Sequence, residues 1–344
     1  MSTFELSDIT PASPGEAQSF YNHAMAELDN LLVFQDVAKR GLIIAMAAGL
    51  NAAFIGEPGG GKTLITENAH HMVDGIDDEH IARMPIQSDL QPQIVIGGEV
   101  KTTKEITRPD IGKVEVEESR ITIDAILHRG IKVIFGNEFN RANPLARNSM
   151  LEAYENGVVD TTAGRVYLDL AYTLATLNPS EKREGVFPIS SAEASRHAIG
   201  VAMSNEVGDK RREAIYKASG WSPQKPNSVT NLNILRAIKA RTRSQTEIAF
   251  PEKLREKELV NIVIGTQEAL KRRHINEADY RLTGQIAHLG RTIAAINGQD
   301  KIEKEDLQEA VLYLVGARVG MLTAKNGELV KERIDTVVAE ALAA

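Results

Sequence analysis

The chain has 344 residues, a length that indicates about two globular domains. Hydrophobic residues make up 42% and charged residues 25%, a composition that excludes a disordered or fibrous chain. Its 40 basic and 47 acidic residues leave a net charge of −7, so no overall positive field attracts nucleic acid or anionic lipid. Because the sequence has no cysteine, disulfides, thiolate catalysis and thiolate metal sites are excluded.

The N-terminal residues predict neither a signal peptide nor a membrane anchor. They contain no basic segment followed by an apolar stretch, and no apolar run in the chain reaches the roughly 18 residues that a bilayer requires. We therefore expect a cytoplasmic protein that does not bind membranes. Residues 1–16, with Ser13, Pro14 and Gly15 at their end, are interpreted as a loose leader that precedes a helical pattern.

Residues 17–220 alternate helix-period segments with short apolar runs. This alternation predicts an α/β core in which a mostly parallel sheet is covered by helices. Short apolar runs of this kind suit strands that are buried on both faces. The predicted strands are residues 51–55, 82–86, 132–135, 172–177 and 199–203.

Two hairpins and a second domain complete the predicted organisation. An inserted hairpin is predicted at residues 99–124, because residues 114–124, VEVEESRITID, alternate polar and apolar side chains as a half-buried hairpin would. A second hairpin is predicted at residues 157–170, with Ala163 and Gly164 at its turn. The sequence after a proline-containing linker is almost entirely helix-period, so residues 221–344 are expected to form a helical domain.

The strongest motif is a phosphate-binding loop at residues 56–63, which matches GxxxxGK[ST] and lies between a predicted strand and a helical segment. Its glycines let backbone N–H groups point at a polyphosphate, and the following helix N-terminus favours the same anion. Lys62 is expected to reach the β and γ phosphates, and Thr63 to supply a hydroxyl to Mg²⁺. We therefore expect the loop to bind a nucleoside triphosphate together with Mg²⁺. The predicted nucleotide-binding residues are Gly56, Glu57, Pro58, Gly59, Gly60, Gly61, Lys62, Thr63 and Leu64.

A second candidate element follows the predicted strand at 132–135. A phosphate-binding loop needs a carboxylate at the end of a neighbouring strand, near the metal ion and the attacking water. Glu138 stands where a carboxylate can polarise that water, although a surface acid is the alternative interpretation. Asn137 stands where an aspartate that holds the metal is usual, so Thr63 and Asn137 are the predicted metal residues. Arg141 either faces an adjacent subunit or pairs with a local acid.

The order of these segments resembles the AAA+ ATPases, and within them the MoxR and magnesium-chelatase-like branch. Residues 137–157, NEFNRANPLARNSMLEAYENG, resemble that branch's DEINRAPPxxQxALLEAMEE stretch, except at Asn137, where the branch has aspartate. Residues 83–90 with 96–98, and residues 175–179, resemble two further motifs of the branch, RIQFTPDLLPSDITG and ATQNP. The resemblance implies a P-loop NTPase AAA+ core with a parallel five-stranded sheet, flanking helices and β-hairpin insertions, followed by a C-terminal helical lid domain.

Three further catalytic residues follow from the resemblance. Asn178 corresponds to sensor 1, which positions the attacking water, although a turn-forming Asn-Pro is the alternative. Arg196 corresponds to the arginine finger that reaches the neighbouring subunit's site, and Arg281 to sensor 2 of the lid. For both arginines the alternative is a solvated surface side chain.

The resemblance also implies what the protein does. We expect an ATP-hydrolysing homo-oligomer, a hexameric ring, that remodels a partner protein or assists metal or cofactor insertion. The partner is expected to be a separate protein with a von Willebrand factor A domain, since no such domain fits in this chain. The alternative is a nucleotide-gated oligomeric scaffold whose hydrolysis is weak because of Asn137. A nucleic-acid motor ranks last, because aromatic residues make up only 5% of the chain and no basic stripe contains them.

Overall fold

A computed structural model describes most of the chain. The described residues are 9–32, 34–84, 95, 98–108, 112–122, 127, 130–161, 164–178, 186–203, 225–244, 246–275, 281–322 and 327–343. Several sequence predictions fall outside these residues in whole or in part. The residues of these predictions that lie outside are 1–8 of the leader, 85–86 of a predicted strand, 85–90, 96–97 and 179 of the two family motifs, 109–111 and 123–124 of the first hairpin, Ala163 of the second hairpin turn, 204–220 of the predicted core and 221–224 of the linker.

The described elements alternate strands and helices in the first part of the chain and are almost all helical in the second. The strands are β1 (Asn51–Ile55), β2 (Val73–Asp74), β3 (Ile81–Met84), β4 (Gly98–Arg108), β5 (Gly112–Thr122), β6 (Val133–Gly136), β7 (Val158–Thr161), β8 (Gly164–Tyr167), β9 (Tyr172–Leu177), β10 (Ile199–Ala202) and β11 (Thr230–Asn231). The helices are α1 (Pro14–Leu31), α2 (Asp36–Ala48), α3 (Lys62–Asn68), α4 (Pro144–Asn156), α5 (Ser191–Arg196), α6 (Leu232–Arg243), α7 (Val260–Lys271), α8 (Arg281–Ile296), α9 (Lys304–Val315) and α10 (Gly327–Leu342).

Helix α1 begins earlier than the helical pattern that the sequence suggests. Ser13 caps it, because its side chain accepts a hydrogen bond from the Glu16 backbone N–H while the Glu16 carboxylate accepts from the Ser13 backbone. Pro14 then occupies the first helical position, where no N–H is needed. The helix therefore starts inside the stretch interpreted as a leader.

The central sheet has five parallel strands in the order β10-β1-β9-β6-β3, which confirms the predicted fold class. All residues of β1, β6 and β9 are buried, as continuous apolar runs in a sheet covered on both faces require. The predicted strands at 51–55 and 172–177 coincide with β1 and β9, and β6 and β10 differ from their predictions by one residue at one or both ends. Strand β3 begins one residue before its prediction, whose last two residues lie outside the described residues. Because the strands are parallel, the chain segments that follow β1, β6 and β9 lie together at the carboxyl end of the sheet.

Both predicted hairpins are present as antiparallel pairs outside the central sheet. In the first, β4 pairs with β5 from Gly98 opposite Thr122 to Arg108 opposite Gly112. In the second, β7 pairs with β8, and Val158 lies opposite Tyr167. Each hairpin is therefore an addition to the α/β core.

The helical second part of the chain packs directly on the sheet. After α9, a π-helical segment, Gly316–Gly320, lies against β10. A Cβ placed on Gly316 would overlap the carbonyl oxygen of Gly200, and one placed on Gly200 would overlap the Ala317 backbone. Glycine at both positions thus permits backbone-to-backbone contact. Among the described helices, none combines the length and apolar character needed to cross a membrane.

Candidate active site

The predicted phosphate-binding loop connects β1 to α3 at the carboxyl end of the sheet. Gly59 and Gly61 have φ angles of 90° and 85°, which residues with a side chain rarely adopt. Lys62, Thr63 and Leu64 form the first turn of α3, so their backbone lies at the positive end of the helix dipole. The remaining predicted residues, Gly56, Glu57, Pro58 and Gly60, lie in the loop itself.

The Lys62 side chain is folded into this loop and is 5% exposed. Its Nζ donates to the carbonyl oxygens of Gly56 and Glu57, each at 2.7 Å. Burial lowers the pKa of Lys62 to about 8, although the charges of Glu57 and Glu138 oppose that shift. Since an ammonium has three donors and the loop carbonyls accept two, the arrangement fits a lysine that can also donate to a phosphate oxygen.

Thr63 and Asn137 lie side by side although they are far apart in the sequence. Thr63 Oγ1 donates to Asn137 Oδ1 at 3.3 Å, and Thr176 Oγ1 donates to the same oxygen at 2.8 Å. The backbone N–H of Glu138 donates to Thr176 Oγ1 at 2.8 Å, which closes a chain of hydrogen bonds across β6 and β9. A hydroxyl and an amide oxygen at this separation are hard oxygen donors, and such donors fit Mg²⁺.

Glu138 is held between two side chains at the end of β6. Its backbone has a positive φ of 54°, which turns the residue out of the strand direction. Asn178 Nδ2 donates to Glu138 Oε1 at 2.5 Å, and Arg141 Nε lies 3.0 Å from Glu138 Oε2. The structure thus brings together two of the predicted catalytic residues, Glu138 and Asn178. It also shows that Arg141 pairs with a local acid.

The other two predicted catalytic residues lie together through a shared carboxylate. Arg196 Nε is 2.9 Å from Glu155 Oε2, and Arg281 Nε is 3.2 Å from Glu155 Oε1. Arg281 Nη1 also donates to Ser195 Oγ at 3.4 Å, so α8 packs against the end of α5. Both arginines therefore belong to one cluster, which we call the Glu155 cluster: Glu155, Arg196 and Arg281.

The Glu155 cluster lies at the amino end of the sheet, away from the chain's own phosphate-binding loop. Asn51 Nδ2 donates to the Arg196 carbonyl oxygen at 3.2 Å, which places Arg196 beside the first residue of β1. The loop begins after the last residue of β1, and five strand residues span about 16 Å. The structure therefore does not bring Arg196 and Arg281 to the same chain's Lys62 and Thr63.

Sequence reasoning missed two residues of this arrangement. Thr176 links Asn137 to the Glu138 backbone, yet it stands in an apolar run that predicts only a buried strand. Glu155 forms ion pairs with both Arg196 and Arg281, and no sequence pattern indicates that these three residues lie close together. A hydroxyl one residue before the end of a buried strand, next to a predicted site, is a signal that could have identified Thr176.

Comparisons with known proteins show which sequences and structures this chain is similar to. Residues 52–199 match the family described as "ATPase family associated with various cellular activities (AAA)". Over 315 residues the chain is 22% identical to "Chaperone MoxR1" of Mycobacterium tuberculosis, which covers 87% of this chain and 77% of that protein. A crystal structure of a candidate ATPase from Cytophaga hutchinsonii matches with a TM-score of 0.66 and 19% identity, covering 95% of this chain and 96% of that one.

Proposed function

We propose that this chain, an AAA+ protein similar to the MoxR chaperones, is a Mg²⁺-dependent ATPase whose subunits complete one another's active sites. The observation that carries the proposal is the contact between the two halves of the site. Thr63 of the phosphate-binding loop bonds to Asn137, which adjoins the Glu138 carboxylate. A loop for phosphates, oxygen donors for a metal and a carboxylate for water therefore meet at one end of the sheet.

The phosphate-binding loop would hold the nucleotide through its backbone N–H groups and the Lys62 ammonium. Thr63 Oγ1 and Asn137 Oδ1 are the proposed metal residues, acting directly or through water. When bound there, Mg²⁺ would neutralise negative charge on the β and γ phosphates. Leu64 and Thr63 in the first turn of α3 would place their N–H groups toward the α and β phosphates.

Glu138 is the proposed base that orients and deprotonates the attacking water. In the structure its two carboxylate oxygens are taken by Asn178 and Arg141. Each carboxylate oxygen keeps a second lone pair, so Glu138 can accept a proton from water at a position that these two contacts leave open. Asn178 can present the same Nδ2 to the water or to the γ phosphate, which is the sensor 1 role that its motif implies.

Arg196 and Arg281 are proposed to serve the active site of the neighbouring subunit. Both arginines lie at the amino end of the sheet, at the opposite end from the phosphate-binding loop of their own chain, which supports a role in the neighbouring subunit's site. A guanidinium that approaches the γ phosphate stabilises the charge that develops during transfer. Each subunit then supplies its arginines to one neighbour and uses those of the other neighbour. A closed ring provides every subunit with both neighbours, and we propose that the ring is a hexamer.

The work done by this ATPase is proposed to be remodelling of a partner protein. The name of the M. tuberculosis relative, a chaperone, supports this proposal, and so does the resemblance to the MoxR branch. The partner is proposed to be a separate protein with a von Willebrand factor A domain. The hairpins β4–β5 and β7–β8, which lie outside the central sheet, are candidate contact regions for it. Assistance in metal or cofactor insertion is a variant of this role.

The domain division proposed from the sequence places the ATPase core at residues 17–220 and the lid at 221–344. The described sheet lies within the first range, and α6–α10 lie within the second. Residues 1–16 are proposed as a leader, of which the structure assigns the last three to α1.

Turnover of ATP by the full chain tests the proposal. We expect Mg²⁺-dependent hydrolysis that Glu138→Gln reduces by roughly a hundredfold or more, since a glutamine cannot take the proton from water. Nucleotide binding should persist in that variant. As a control, Glu67→Gln removes an exposed carboxylate on α3 and should leave turnover unchanged. Equal rates in wild type and Glu138→Gln would favour the alternative, a nucleotide-gated scaffold, which Asn137 makes a specific competitor.

Asn137 should weaken the metal site without abolishing hydrolysis. Its neutral amide oxygen already accepts from Thr63 and Thr176, and it brings no negative charge to the ion. A charged acceptor is worth about 1 to 1.5 kcal/mol more than a neutral one, which is roughly tenfold in affinity. In a magnesium titration of ATP turnover, Asn137→Asp should therefore show a midpoint about tenfold lower and a higher rate.

The matched control for this titration is Asn148→Asp, which adds the same charge on an exposed face of α4. Its magnesium midpoint should equal that of the wild type. If the Asn137→Asp curve also coincides with wild type, residue 137 does not face the metal.

A further inference from the structure

A cavity of about 470 Å³ lies at the amino end of the sheet, at the opposite end from the phosphate-binding loop. Asn51 and Thr173, near the starts of β1 and β9, form one side of it, and α6 forms another. Its volume is within the range of sites that enclose small molecules. Glu155 of the Glu155 cluster also lines this cavity, but the proposed ATPase mechanism assigns no role to its α6 side.

One face of α6 lines the cavity with cations. Arg236, Lys239 and Arg243 follow one another at spacings of three and four residues, so their side chains project from the same face of the helix. Leu232 and Leu235 add an apolar wall beside them. The cavity therefore combines a row of positive charges with apolar surface.

The acidic side chains of the cavity lining are already paired with other cations. Asp169 lies 2.8 Å from Lys132 Nζ and also forms an ion pair with Arg236. Glu155 is held between Arg196 and Arg281 in the Glu155 cluster. Among the described residues lining the cavity, Lys239 and Arg243 are thus left without a carboxylate partner.

Lys239 and Arg243 repel each other in this environment. Lys239 Nζ donates to the Leu170 carbonyl oxygen at 3.0 Å, and no ion pair joins Arg243 to a described residue. Burial, followed by the charge of Arg243, lowers the pKa of Lys239 to about 8, while Asp169 attracts it more weakly. On α8, burial and then Arg243 lower the pKa of His288 to about 4. In a chain of net charge −7, this is a local excess of positive charge that an anion would neutralise.

We propose that the cavity binds a small phosphate-bearing anion, with Lys239 and Arg243 contacting the phosphate and Leu232, Leu235 and Tyr167 contacting the remainder. The planar guanidinium can donate two parallel hydrogen bonds to phosphate oxygens, and the ammonium adds a compact charge. A cavity of about 470 Å³ is large enough for a small molecule. The site is separate from the phosphate-binding loop, and the inference does not depend on ATP hydrolysis.

The test uses the full chain with Lys62→Ala, in which the phosphate-binding loop of every subunit is weakened. The probes are inorganic pyrophosphate and ADP, each titrated calorimetrically in metal-free buffer. We expect pyrophosphate to bind to the Lys62→Ala chain and to raise its melting temperature. Adding Arg243→Met should weaken this binding by roughly ten- to hundredfold, because charge-assisted hydrogen bonds are lost. ADP that binds more tightly than pyrophosphate identifies a nucleotide ligand, and equal or weaker binding identifies a simpler phosphate.

Two controls keep the result interpretable. Arg255→Met removes an exposed cation of the helical part and should leave pyrophosphate affinity unchanged. Without pyrophosphate, the Arg243→Met chain should melt at the same temperature as its parent or at a higher one, since the repulsion between Arg243 and Lys239 is removed. If the Arg243→Met chain does not fold, Lys239→Met takes its place in the titration. The inference is overturned if pyrophosphate does not bind to the Lys62→Ala chain, or binds equally well after the cavity cations are removed.

Discussion

Replacing Lys62 with alanine should abolish tight nucleotide binding. The ammonium lies inside the loop, held by the carbonyl oxygens of Gly56 and Glu57, so it is positioned before a phosphate arrives. The variant would lose charge-assisted hydrogen bonds to two phosphates, each worth about 1.5 to 3 kcal/mol. We therefore expect the affinity for a labelled ATP analogue to fall by at least about a hundredfold.

The control for this variant is Lys331→Ala, which removes an exposed lysine from α10. It should bind the analogue as the wild type does. Circular dichroism should show that both variants remain folded. Unchanged analogue binding by Lys62→Ala would remove the assignment of residues 56–63 as the nucleotide loop.

Replacing Arg196 with alanine should reduce turnover by roughly a thousandfold while leaving nucleotide binding nearly intact. The reason is the distance between the arginine and the loop of its own chain. Since Arg196 lies beside the first residue of β1, its guanidinium cannot reach a nucleotide held by its own chain's loop, and we expect it to contact one held by a neighbouring subunit. Glu155 keeps its partner Arg281 in this variant, so the carboxylate is not left without a cation.

Mixed assemblies test whether the arginine acts between subunits. Arg196→Ala subunits retain Glu138, and Glu138→Gln subunits retain Arg196, so some interfaces in a mixture contain both residues. Mixing two inactive variants should therefore restore measurable ATP turnover. Arg333→Ala, which changes an exposed arginine on α10, should have wild-type activity. If no mixture recovers activity, the arrangement across an interface loses its support.

The sheet and the nucleotide loop could be predicted from the sequence because their signals are local. A strand buried on both faces is a continuous apolar run, and residues 172–177 satisfy that pattern without reference to any other part of the chain. The loop motif requires only eight consecutive residues between a strand and a helix. The start of α1 was misplaced by a few residues, because the Ser13–Glu16 cap was interpreted as part of a loop.

The contacts that organise the site could not be predicted, because they join distant parts of the chain. Glu155 and Arg196 are separated by 41 residues and meet only once α4 and α5 have packed against each other. A buried ion pair between Arg147 and Glu193, 2.9 Å apart, fixes that packing. From the sequence, Arg141 could either face an adjacent subunit or pair with a local acid. The tight turn after β6 brings it to Glu138, with which it forms an ion pair.

The contact between Gly200 and Gly316 restricts how this sequence can diverge. Each glycine occupies the space that a methyl group on the other would need, and the obstruction is backbone, which no change of a neighbouring side chain can relieve. A lineage therefore cannot replace either residue by small independent steps. To gain a side chain at one position, it would have to move the whole helical half of the molecule away from β10. Because β10 is hydrogen-bonded to β1, which leads into the nucleotide loop, such a move would also alter the support of that loop.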